Sequence, residues 1–268
     1  MSLILQELGI VVAMQQPNPN LVTAEFLKLS AIVPLDWQLA REPINNDNIS
    51  ELLFTNGVRI VAEPNRIMFG ENIGDRDIST LTVATIAQKY SDIFKLAKYS
   101  AVGINIRSYS PQANLLAATQ YINHQLLADG SWQNYGVAPV QAALNLVYSL
   151  EGRQLNLDIA AAGMQFAVGE ATLKELQEIT PVVLFSGNFR YNLITSEVGD
   201  NLAAVSQILR DWQTDLSAYC ELITDRFLSP QTPTLSLPTS AGNEDGNLAA
   251  MEIPYAPNLH PAISFSAQ

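Results

Sequence analysis

Histidine and cysteine are nearly missing from this chain. His124, His260 and Cys220 are its whole stock of both. No two of them are close in sequence, so no local nucleophile–base pair can be read, and catalysis near neutral pH is disfavoured. Three such residues are also too few for a zinc cluster. One cysteine cannot form an internal disulfide, which fits a reducing compartment and an expected cytoplasmic location. Basic side chains are scarce as well, 14 Lys and Arg against 26 Asp and Glu. The net charge of −12 repels phosphate backbones and anionic lipid surfaces, so neither nucleic acid nor a membrane is an expected partner. The nearest thing to a basic cluster is Lys89, Lys95 and Lys98. No apolar run approaches the ~20 residues of a membrane helix, and Met1 to Glu7 has no basic leader region. No Walker A, GxGxxG, GxSxG or EF-hand pattern occurs, so no cofactor or metal is expected.

What is present is a chain able to build a full core, with 48% apolar residues. Charged residues are only 15%, against roughly 25% in an average domain. Amides fill the gap, with 20 Asn and 17 Gln. A surface short of charge is easily buried against another protein surface.

The pattern of elements predicts an α+β fold: a mostly antiparallel sheet or sheets, two mid-chain helices and a long C-terminal helix, then a Pro-rich tail. Residues 3–14 and 22–33 read as strands. Asn56-Gly57 supplies the positive φ angles of a tight turn, and Pro64-Asn65 supplies a second turn. With two-residue loops at both, Leu53 faces Ile60, Ile60 faces Phe69 and Ala62 faces Ile67. A helical period spans 78–97, capped by Asp77 or Ser79. Strand alternation returns at 101–107. Ser110-Pro111 reads as a helix start, with Leu115, Thr119, Ile122 and Leu126 as the buried stripe. A turn at Glu151-Gly152 sets Tyr148 opposite Leu155, Leu146 opposite Leu157, Leu144 opposite Ile159 and Asn145 opposite Asp158. A short helix is expected over 171–178, and a strand over 181–194 broken near Ser186-Gly187-Asn188. Residues 200–227 read as one helix with a stripe from Leu202 to Phe227. No internal repeat stands out. The expected organisation is one domain over 1–228, with a subdivision near residue 110 left open, and a tail over 229–268.

That tail holds six prolines and no Lys or Arg. Its isolated apolar residues Leu235, Leu237, Ile253, Tyr255, Leu259, Ile263 and Phe265 are candidate anchors for docking on a partner. His260 lies there too. On the sheet, period-two alternation places Asn105, Arg107, Asn145, Asn156, Asp158, Arg190 and Asn192 on the face away from the core. Such a face can hydrogen-bond a polar ligand or a partner's loops, or be simply solvated. Three functions are therefore carried forward. The first is a non-catalytic protein–protein interaction or assembly subunit, acting as a homo-oligomer or with a protein partner. The second is a ligand-binding domain using the polar face. The third is an enzyme using carboxylates and tyrosines. Pairs such as Glu51 and Glu63, or Asp158 and Glu170, are not ranked by the sequence and read first as solvated surface, so no catalytic residue is assigned.

Overall fold

Two long strands of alternating hydrophobicity form the middle of the molecule. β1 (Ile4–Met14) and β6 (Tyr99–Pro111) pair antiparallel, with Ile10 opposite Ile104 and Leu8 opposite Ile106. The computed structural model describes residues 1–15, 18–137, 140–164, 179–193 and 201–229. Around the central pair lies one antiparallel sheet of nine strands. Its order is β2 (Ile44–Asn46), β3 (Ile49–Leu53), β4 (Val58–Glu63), β5 (Arg66–Asn72), β1, β6, β9 (Thr180–Asn192), β8 (Arg153–Met164) and β7 (Ala143–Leu150). Five α-helices accompany it among the described residues: α1 (Ala24–Leu29), α2 (Val83–Ile93), α3 (Leu115–Gln120), α4 (Leu202–Arg210) and α5 (Trp212–Leu222). The first meander and the second hairpin thus share a sheet, and the α+β class is as the alternation predicts.

The helices cover one face. α2 packs on β1 and β5, α3 on β8 and β9, and α4 and α5 on β6. Leu8, Ile10, Val12, Val102, Ile104 and Ile106 are all buried beneath them. The alternate side chains point to the other face, which no helix among the described residues covers.

The chain is a doubled unit. The order β1-α1-β3-β4-β5-α2 recurs as β6-α3-β7-β8-β9-α4, and the sheet reads β3-β4-β5-β1 from one side and β7-β8-β9-β6 from the other. Gly9-Ile10 recurs as Gly103-Ile104, and the two isoleucines face each other at the join. The sequence hides this repeat because a two-residue β4–β5 turn corresponds to a long β8–β9 connection. Two elements stand outside the repeat among the described residues: α5, and β2, which covers the outer edge of β3.

Several sequence expectations are corrected. Residues 22–33 are not a strand. Thr23 Oγ1 accepts from Phe26 N at 3.1 Å and starts α1. The helix ends with Ala31 at φ +54°, Ala31 N donating to Lys28 O and Ile32 N donating to Leu27 O. That is a Schellman ending, with Ile32 and Leu27 both buried as its apolar contact. Capping chemistry at both ends thus overrides a weak alternation.

The Asn56-Gly57 hairpin has a three-residue loop, closed by Phe54 N to Val58 O at 2.8 Å and Gly57 N to Phe54 O at 3.0 Å. Leu52, not Leu53, faces Ile60. A one-residue slip exchanges faces, so Phe54 is buried and Leu53 sits on the open side. The β4–β5 register, with Ile60 opposite Phe69 and Ala62 opposite Ile67, is as expected, and so are all four β7–β8 pairs.

Ser110 and Pro111 remain in β6, opposite Val183 and Val182. β1 has ended at Tyr109, so the missing proline N–H interrupts no ladder on that side. The cap passes to Asn114, which accepts from Ala117 N at 2.8 Å. α3 continues as a wider turn over Tyr121–Leu126, burying Ala118, Thr119, Tyr121, Ile122 and Asn123 and leaving Leu115 exposed. β9 runs unbroken through Ser186-Gly187-Asn188. Gly187 is there because the Tyr219 ring lies 2.7 Å from where a Cβ would sit. The C-terminal helix is divided at Asp211 into α4 and α5, followed by a wider turn over Ile223–Leu228. Val205, Leu209, Trp212, Leu216, Tyr219 and Ile223 keep the expected buried stripe. The helix expected at 171–178 and the tail beyond 229 lie outside the described residues.

Asp77 caps a short turn ahead of α2, accepting from Ser79 N at 2.8 Å. α2 itself is capped from a distance. The Glu71 carboxylate on β5, 2% exposed, accepts from Thr82 N at 2.7 Å, Val83 N at 2.9 Å and Thr82 Oγ1 at 3.2 Å, and receives Arg76 Nη1 at 2.9 Å. A negative charge there satisfies helix N–H groups and complements the helix dipole. Glu71→Ala leaves these buried donors unpaired and is expected to cost about 2–4 kcal/mol in urea unfolding. Ala31→Gly is expected to raise stability by about 1 kcal/mol in the same measurement, because glycine adopts the left-handed conformation without penalty.

Candidate functional site

The helix-free face carries the polar residues that alternation assigns to it. Across the ladder, Asn145, Asp158, Ser186, Arg107 and Glu7 form one row. Asn156, Asn188, Asn105, Gly9, Gly70 and Arg59 form the next. Gln154, Arg190, Gly103 and Val11 form a third, and Asn192 lies beside Ala101. All seven residues expected on this face are on it.

Their partners differ from a single charged constellation. Asp158 accepts from Asn145 Nδ2 at 2.7 Å, and Arg190 Nε donates to Asn192 Oδ1 at 3.0 Å. Asn188 Nδ2 donates to Asn105 Oδ1. Arg107, Asp158 and Arg190 therefore do not act on one another. The electrostatic centre is Glu7, which the sequence reading passed over. Burial pushes its carboxyl above the usual 4.5, and the Arg107 and Arg59 charges pull it back. The signal was available: Glu7, Gly9, Val11 and Ala13 alternate with Leu8, Ile10 and Val12.

Glycines make the floor on which these side chains lie. A Cβ on Gly70 would meet Glu7 Oε1 at 3.1 Å, and one on Gly103 would meet Asn188 Nδ2 at 3.2 Å. Beyond Arg59, Glu51 is held by two arginines, with Arg59 Nε at 3.1 Å and Arg41 Nη2 at 2.5 Å. Burial pushes its carboxyl up, but the hydrogen bonds and charges of Arg59 and Arg41 outweigh that and leave it lowered. Glu63 is paired with Arg66 at 2.7 Å, so Glu51 and Glu63 do not form a carboxylate pair. Glu170 lies outside the described residues.

The other candidates are placed as follows. His124 Nδ1 lies 3.1 Å from Asp129 Oδ1, both side chains exposed. Cys220 is half-buried near the end of α5, and burial raises its thiol pKa, opposite to what a nucleophile needs. A charged cluster lies on the covered side: Arg153 Nε is 3.1 Å from Asp215 Oδ1, and Tyr191 donates to Asp215 Oδ2 at 2.8 Å. Burial raises the Asp215 pKa, which Tyr191 and Arg153 partly offset. With Asp215 1% exposed, the cluster clamps α5 to β8 and β9 rather than meeting solvent.

Two shallow clefts stand out among the described residues. One of ≈330 Å³ lies between α3 and the β7–β8 end, lined by Leu115, Thr119, Gln141 and Ala160 to Gly163. The other, of ≈380 Å³, lies beside Tyr90, Phe94 and Leu21. Neither contains the polar face. Among the described residues no three His, Cys, Asp or Glu side chains converge as a metal site, and no helix is long and apolar enough to cross a membrane. No protein-family model matches the chain, and no curated protein matches it either.

The two glutamates of this face titrate in opposite senses. Glu7 keeps its proton longer folded than unfolded, so its ionisation removes stability as pH rises above 4.5 through its folded value. Glu51 gives stability above 4.5 that is lost as pH falls through its lowered value. Side-chain carboxyl NMR is expected to find Glu7 above and Glu51 below the usual range. Arg107→Gln should raise Glu7 further and leave Glu51 in place.

Proposed function

We propose that this chain is a non-catalytic assembly subunit that works by protein–protein contact. The observation that carries this reading is the inequality of the two sheet edges. β2 is three residues long and follows Pro43, a short edge of the kind that resists further pairing. β7 is eight residues long, Ala-Leu-Asn-Leu-Val-Tyr-Ser-Leu, with no charge, proline or glycine. Val147 is 55% exposed and Leu150 40% exposed. A long, uncharged, apolar edge is a template for pairing with another chain. The sparse charge and abundant amides of the whole chain suit the same use.

A second reading is favoured by the glycine-floored polar face: binding of a polar ligand by Glu7, Arg107, Asn105 and Asn188. It predicts that Arg107→Ala abolishes such binding without unfolding the protein. Arg190, held by Asn192, is less suited to the same role.

Light scattering after size exclusion tests the first reading. The full chain is expected to exceed its monomer mass of 29.3 kDa throughout the micromolar range. Association lost on removing residues 230–268 would assign it to the tail anchors, which lie outside the described residues. Association kept would assign it to the folded part. A monomer at every concentration defeats self-assembly as the function.

A further inference from the structure

We infer that the outer edge of β7 is the seat of a second copy of this chain, paired antiparallel about a two-fold axis at Leu146. This rests on the assembly reading and gives it an interface.

The doubled architecture is the first argument. The outer edge of β3 is covered by β2 through Ile44, Asn45 and Asn46, extended by the Leu39–Phe54 bridge. β7 occupies the matching place in the second unit and is the last strand of the sheet. Among the described residues, no strand pairs with its outer side.

Hydrogen-bond parity is the second. The two-residue turn Glu151-Gly152 makes Leu150 and Arg153 a closely bonded pair. Leu144, Leu146, Tyr148 and Leu150 then direct their backbone groups to β8. Ala143, Asn145, Val147 and Ser149 direct theirs outward, leaving four donors and four acceptors in a row.

The edge is also self-complementary. With the axis at Leu146, Asn145 meets Val147 of the second copy, and Ala143 meets its Ser149. On the covered face Leu146 meets Leu146, and Leu144 meets Tyr148. No residue meets a like charge, although each chain carries −12. Glu151 falls opposite Gln141, a neutral amide. A second copy also brings a strand that β8 already holds extended, so little further ordering opposes pairing. Segments of residues 230–268 are poorer occupants: six prolines lacking an N–H stand on either side of 239–253, and that stretch is broken by Gly242 and Gly246 and carries Glu244, Asp245 and Glu252.

The test uses the full chain. Val147→Pro removes an outward N–H while leaving the β8 ladder its donors, and Val147→Lys places a charge at the centre of the edge. Each is expected to shift the light-scattering mass from two chains to one with circular dichroism unchanged. Should the proline variant unfold, the lysine variant carries the test alone. In a Cys220→Ser background, Leu146→Cys is expected to form a disulfide-linked dimer on mild oxidation, since directly opposed residues across such a pair are close enough to bridge. Ser149→Cys should not, its two copies being about 20 Å apart. A dimer that survives both Val147 substitutions overturns this interface and leaves the assembly reading standing. A monomeric intact chain overturns both.

Discussion

The antiparallel pairing of β1 with β6 is the contact on which both halves of the molecule depend. Neither unit closes a sheet alone: β3-β4-β5-β1 and β7-β8-β9-β6 would each expose a central strand as an edge. Joined, the two strands satisfy each other's backbone groups over ten paired positions. Their buried faces give α2, α4 and α5 one continuous floor. Helix-to-helix packing of α2 on α4 then bridges the join from above. Small residues at the join are part of this arrangement. Gly9 and Gly103 sit diagonally about the Ile10–Ile104 pair, and their missing side chains leave room for Asn105 and Asn188 to lie across the open face.

Polar groups inside the structure work mostly as fasteners. Glu71 begins α2 from a neighbouring strand. Asp215, Arg153 and Tyr191 tie α5 to the second unit. Tyr219 reaches across Gly187, its hydroxyl 2.6 Å from Ser108 Oγ and donating to Phe185 O at 3.0 Å. Each joins separate elements, and Glu71, Asp215 and Tyr219 are themselves buried. Breaking one partner of such a contact costs more than the contact contributes, because the other is left buried without a partner. The perturbed acidity of Asp215 and Tyr191 therefore belongs to cohesion rather than to chemistry. Perturbed groups mark functional sites only when a cleft brings them to a substrate, and neither Asp215 nor Tyr191 lines the two clefts described above.

The open face and the β7 edge offer different chemistries to a partner. The face presents amides already bonded to each other and two arginines that balance acids. The edge presents main-chain donors and acceptors flanked by leucine, valine and tyrosine. Main-chain pairing needs no particular side chain and tolerates a surface poor in charge. The edge is therefore the better candidate interface, although the sequence pattern drew attention to the face and the tail.

Local chemistry determined much of this from sequence alone. The β4–β5 and β7–β8 registers follow from short turns and alternation, and the seven polar residues reach the open face by the same period of two. The apolar stripe from Val205 to Ile223 follows from the helical period. Two of the failures share one cause, that two local signals competed and the stronger was not visible in hydrophobicity. Capping at Thr23 and a Schellman ending made α1 from a segment that alternates. One extra loop residue at Thr55 exchanged Leu53 for Phe54. Tertiary structure decided what no local rule contains: that Glu7 lies between Arg107 and Arg59, that Glu71 caps a helix eleven residues on, and that two units share one sheet. Those outcomes depend on which strands become neighbours, and strand neighbours are chosen by the whole core rather than by any one segment.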